Sequence, residues 1–165
     1  MRAPRITGRW LVSAHVPGKG KFFGDLTIEQ GAAPDEFKTT MKLQPLAGGA
    51  VIQRTGTGMV YAGYSWRGRS TGSAAPTAPD DLASPGREAL WISPDQTIAE
   101  GRVFWGEYDE FGIDVKMQRA STSPALITTD RYSLKTGSTA QKVRLIGVNL
   151  PTQITPADLD FGSGI

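Results

Sequence analysis

Lys21-Phe22-Phe23-Gly24-Asp25-Leu26-Thr27-Ile28-Glu29 and Glu36-Phe37-Lys38-Thr39-Thr40-Met41-Lys42-Leu43 change character at every step. Phe22, Gly24, Leu26 and Ile28 fall on one side and Lys21, Asp25, Thr27 and Glu29 on the other. Phe37, Thr39, Met41 and Leu43 likewise oppose Glu36, Lys38, Thr40 and Lys42. A period of two is the mark of a strand with one buried face. Gln30 to Pro34 is the loop between these two strands.

The pattern extends in both directions. Upstream, Trp10, Val12 and Ala14 oppose Arg9, Ser13 and His15, and Pro17-Gly18-Lys19-Gly20 makes a turn. Downstream, Ala47-Gly48-Gly49 turns the chain into a strand over 51–55. Gly56-Thr57-Gly58 predicts a bulge or bend before a strand over 59–64. Residues 65–71 put Trp66 on one face and Arg67 and Arg69 on the other. Residues 72–87 carry three prolines and only Leu82 as a large apolar group, which predicts a mobile surface loop. Strands follow over 88–93, 97–105 and 111–119; in the last, Ile113, Val115 and Met117 alternate with Asp114, Lys116 and Gln118.

No segment carries a helical period over ten residues. Sequential strands joined by hairpin-length connections favour an all-β, antiparallel up-and-down barrel of eight strands over a sandwich, because closure removes exposed edges. Trp10, Leu26, Met41, Trp66, Ile113 and Val115 are the expected structural core. After Arg119 the texture changes. Ser121-Thr122-Ser123-Pro124 reads as a linker, and 127–134 and 142–148 are strand-like. Residues 1–119 therefore read as a barrel domain and 120–165 as a linker with an incomplete second unit, a sandwich needing about 100 residues. With Arg9-Trp10-Leu11-Val12 already strand-like, the chain reads as a domain cut from a longer polypeptide.

Composition narrows function. Eighteen Lys and Arg against 16 Asp and Glu leave a formal charge of +2 with no basic cluster, so nucleic acid is not an expected partner. The absence of cysteine removes disulfides, thiol nucleophiles, thiolate metal sites and haem attachment by C-x-x-C-H. His15 is the only histidine, at the end of a strand, and reads as solvent-facing or capping. No signal peptide and no run of 18 apolar residues is visible. Glu107, Asp109 and Glu110 read as a solvated hairpin tip, and Asp158 and Asp160 lack the rest of a calcium loop. Gly18-Lys19-Gly20-Lys21 lacks the spacing of a phosphate-binding loop. The four tryptophans, Trp10, Trp66, Trp91 and Trp105, either fill the barrel or line a small-ligand lumen, and packing is the commoner fate. No catalytic, cofactor-binding or metal residue is assigned.

Gly8-Arg9-Trp10-Leu11-Val12, Pro17-Gly18-Lys19-Gly20, Phe23-Gly24 and Asp35-Glu36-Phe37 resemble the alpha subunit of quinohemoprotein amine dehydrogenase. So do Tyr61-x-Gly63-Tyr64-x-Trp66-Arg67-Gly68-Arg69-Ser70, Gly101-Arg102-x-Phe104 and Tyr108-Asp109-Glu110-x-Gly112-Ile113-Asp114-Val115. The resemblance implies the streptavidin-like barrel that follows a dihaem cytochrome domain. Gly147-Val148-Asn149-Leu150-Pro151 with Ala157-Asp158-Leu159-Asp160-Phe161-Gly162 is similar to the start of the next, immunoglobulin-like domain. It also implies a periplasmic location and partners among the other domains or subunits of the complex. The haem c and quinone cofactors would lie elsewhere in that complex, leaving this chain a non-catalytic scaffold. A small-ligand barrel of the streptavidin or lipocalin kind is the alternative.

Overall fold

The computed structural model describes residues 4–62, 64–77, 82–105, 112–135, 137 and 140–158. Eight strands form the main body: β1 Gly8–Val16, β2 Gly20–Gln30, β3 Glu36–Pro45, β4 Ile52–Tyr61, β5 Ser65–Gly72, β6 Gly86–Ile92, β7 Ile98–Trp105 and β8 Gly112–Arg119. Each pairs antiparallel with the next. β8 returns to β1, from Trp10 opposite Arg119 to His15 opposite Asp114, and closes the barrel. The chain is thus all-β, with the sequential topology that hairpin-length connections favour.

Alternation sorts the side chains. Trp10, Leu26, Met41, Trp66, Ile113 and Val115 are all buried in one cluster with Val12, Phe22, Phe37, Leu43, Leu90 and Val103. Leu11 is also buried, although its neighbours Trp10 and Val12 already face the lumen. Alternation therefore puts it on the outside, where Leu126 and Ile127 of the tail share a crevice with it.

Three expectations from sequence need correcting. Gly56-Thr57-Gly58 makes no bulge, since the registers β3–β4 and β4–β5 run through it without a shift. A Cβ on Gly58 would lie 2.1 Å from the Trp66 ring, and one on Gly56 2.3 Å from the Arg69 carbonyl. These glycines make room for neighbours and do not bend the strand. The strand expected over 59–64 ends at Tyr61, and Tyr64 takes a left-handed φ of 58° in the turn to β5. Finally, the loop expected to float over 72–87 is anchored at both its ends among the described residues. Gly72 N donates to Ala83 O (2.9 Å), Ser73 N to Gln53 O (2.9 Å), and Leu82, Ala83 and Ser84 are buried.

Residues from outside the strands pack into both barrel ends. At the end where β1 begins, Ile6 is fully buried and its carbonyl accepts from Trp10 Nε1 (2.9 Å). Arg119 donates there to the carbonyls of Thr7 (3.0 Å), Gln96 (3.1 Å) and Arg5, and its guanidinium lies 5.0 Å from the Trp10 ring. At the opposite end Leu82, from the β5–β6 connection, joins the core cluster.

The tail forms a two-stranded sheet of β9 Ala125–Thr129 and β10 Leu145–Val148, shorter than the segments expected over 127–134 and 142–148. A 3₁₀ turn, Pro156–Asp158, follows. Lys21 Nζ donates to the carbonyls of Thr129 and Arg131 (both 2.8 Å), and Arg144 Nη2 donates to Leu46 O (3.2 Å). The tail is thus tied to the β1–β3 side of the barrel.

Candidate functional site

The lumen holds charge as well as carbon. Ile52, Arg54, Gly56, Gly58 and Val60 share a phase in β4, and Glu88 shares one with Leu90 and Ile92 in β6. Alternation therefore carries a cation and a carboxylate inward, where Arg54 is 2% exposed and Glu88 8%. Arg54 Nε donates to Ser70 Oγ (3.2 Å), its Nη2 to Ser70 O (2.9 Å), and its Nη1 to Leu82 O. Glu88 Oε2 accepts from Trp66 Nε1 (2.9 Å). Burial pushes the Arg54 guanidinium below its usual range, while the Glu88 charge pulls it back. A buried guanidinium keeps its charge only when its donors are satisfied and a counter-charge is near. These hydrogen bonds tie β4 to β5 and to Leu82 of the β5–β6 connection, and β5 to β6.

The interior cavity lined by the described residues is small. The cavity among Trp10, Met41, Arg54, Trp66 and Glu88 has a volume of about 20 Å³, enough for one water. Trp10, Trp66 and Trp105 are buried, whereas Trp91 is 47% exposed on the outside. Sequence reading missed Arg54 and Glu88 because their charge masked their phase. The apolar residues two positions away were the available signal.

The outer wall is uneven. A groove of about 690 Å³ crosses β3 to β7, with Lys38, Thr57, Arg69, Arg87 and Phe104 in its lining. A second depression of about 310 Å³ shares Thr57 and Arg69 with it and adds Glu36, Met59, Tyr61 and Arg67. Trp66-Arg67-Gly68-Arg69 therefore splits by parity. Trp66 and Gly68 build the interior, and Arg67 and Arg69 build the wall.

The remaining sequence-marked residues serve turns and close contacts. Gly18 (φ 75°) and Gly20 (φ 88°) take the left-handed backbone of the turn after β1, next to Pro17, with Lys19 N donating to Val16 O (3.0 Å). Gly8 opens β1, and Gly24 and Gly101 let neighbouring backbones approach. Gly112 opens β8, and Asp114 lies 4.0 Å from Arg102 Nε. Tyr108 and Asp109, with Glu107 and Glu110, lie outside the described residues, as does Asp160. Asp158 accepts from Thr155 N (2.8 Å) and Oγ1 (2.7 Å), so its carboxylate serves its own turn. His15 Nδ1 lies 2.8 Å from the Tyr132 hydroxyl on the outer face. Among the described residues no group of three His, Asp or Glu side chains could hold a metal. No helix there is long and apolar enough to cross a membrane.

These features define a class: a closed antiparallel β-barrel with a packed, polar-stitched interior and a sculpted outer wall. The chain belongs to the family described as quinohemoprotein amine dehydrogenase, alpha subunit domain II, whose model matches residues 3–120. No curated protein matches. Several solved structures share the fold. One is a de novo designed fluorescence-activating β-barrel, at 16% identity and TM-score 0.53, covering 73% of this chain and 99% of that one. Another is EF1p2_mFAP2b bound to DFHBI, at 14% identity and TM-score 0.53, covering 72% and 98%. A c-type haem does not fit the residues present, because the sequence has no cysteine and His15 faces Tyr132.

Proposed function

We propose that the chain is a non-catalytic contact barrel of an amine dehydrogenase complex, working through its outer wall. The observation that carries this reading is the contrast, among the described residues, between an interior cavity of about 20 Å³ and outer grooves of about 690 and 310 Å³. A small-ligand site normally needs about 300–1,000 Å³ of enclosed volume. In this reading residues 1–119 are a streptavidin-like barrel domain, and 120–165 begin an immunoglobulin-like unit. Haem c and the quinone belong to other parts of the complex, and the location is periplasmic. The chain's work is to hold those parts in register.

Mixing the purified chain with the other subunits of an amine dehydrogenase and sedimenting the mixture tests the proposal. A stoichiometric complex is expected, and the chain alone should reduce no dye when given a primary amine. Amine-dependent dye reduction by the isolated chain, or no association at micromolar concentration, would overturn it.

A further inference from the structure

The outward residues of β4, β5 and β6 form three rows across the register. Tyr61, Ser65 and Trp91 make the first, Met59, Arg67 and Ala89 the second, and Thr57, Arg69 and Arg87 the third. Tyr61 is 55% exposed, Trp91 47% and Met59 37%. Only a serine stands between the tyrosine and the tryptophan in the first row. Aromatic residues, Met and Arg are the types enriched in protein interfaces, and Trp, Tyr and Arg dominate their binding energy.

Charge selects the partner. Among the described residues, the two outer grooves hold Lys38, Arg67, Arg69 and Arg87 beside Glu29 and Glu36, so cations outnumber carboxylates in their lining. The opposite side of the barrel is already engaged. Arg9 pairs with Asp25 (2.6 Å), and the tail lies near Leu11, Ser13 and Lys116. Faces that bind nucleic acid are much more strongly positive than this one, and Glu29 and Glu36 would repel phosphates.

We propose that the outer wall of β4–β6 is a docking face for a protein partner that presents carboxylates beside apolar groups. The guanidinium groups of Arg67 and Arg69 receive the carboxylates in bidentate pairs, and Tyr61, Met59 and Trp91 cover the apolar part. This assignment rests on the contact-barrel reading and names the face that reading uses.

The test has two arms and two variants. Arg67→Glu with Arg69→Glu reverses the wall, and Lys42→Glu with Lys116→Glu makes the same charge change on other strands. Circular dichroism first establishes that both variants fold. In the first arm, calorimetric titration at low salt with a poly-glutamate peptide should show the wall variant binding at least tenfold more weakly than wild type and control. Equal loss in the control, or tighter binding of an oligothymidylate of matched charge, overturns the proposal. In the second arm the probe is the set of other amine dehydrogenase subunits. The wall variant, or Trp91→Ser, should weaken association at least tenfold, and unchanged association overturns the assignment of this face. Failure of wild type to associate, with the first arm upheld, overturns the contact-barrel reading and supports the acid-binding wall.

Discussion

Gly58 has room for no side chain, because the Trp66 indole lies where its Cβ would be, 2.1 Å from the ring. Gly58→Ala should therefore destabilise the barrel by about 1–3 kcal/mol through overpacking. In a Trp66→Leu background the same change should cost clearly less, and urea unfolding of the four proteins measures this coupling. Arg54 makes a different demand. Its neighbours Ser70 and Leu82 supply acceptors and Glu88 supplies the counter-charge. Arg54→Leu should cost about 3 kcal/mol, because it strands the Glu88 carboxylate. Arg54→Leu with Glu88→Gln should cost less than the two single changes summed, and strict additivity would show that the charges are not coupled. Neither residue was legible as interior from charge alone, yet both follow from counting by twos from Val60 and Ile92.

The barrel strands and the short turns, such as the one at Pro17–Gly20, were legible, whereas the long β5–β6 connection was not. Alternation in β2, β3 and β8 needs no tertiary context, because one face of each meets the lumen and the other water. The β5–β6 connection looked unanchored because its sequence offers one large apolar group. Its anchors are backbone hydrogen bonds and a donor 28 residues away, Arg54 to Leu82, which no local pattern reveals. Limited proteolysis should accordingly spare 82–86. Leu11 gives the converse lesson. An apolar residue in the outward phase of β1 signals a covering element, here the tail with β9. Leu11→Lys should weaken tail docking by about 2 kcal/mol, raising the undocked fraction roughly thirtyfold. Faster cleavage within 121–135, with the barrel still folding cooperatively, is the expected result. Unchanged cleavage would mean that Lys21 and Arg144 hold the tail without Leu11.

At the scale of the molecule, the same barrel shape serves different ends according to what fills it. The solved structures that share the fold include one described as bound to DFHBI. In this chain tryptophan, methionine and a charged pair line an interior cavity of about 20 Å³. A chain filled in this way offers its outside, which is the central claim. Whatever binds the folded state raises its melting temperature by mass action. The direct measurement is scanning calorimetry of the chain alone, with a panel of small amines and apolar ligands, and with the other amine dehydrogenase subunits. At about 100 times the dissociation constant, the subunits should raise the midpoint by roughly 5–10 °C, and the small molecules should leave it unchanged. A rise of that size from a small molecule, with no response to the subunits, would contradict the account.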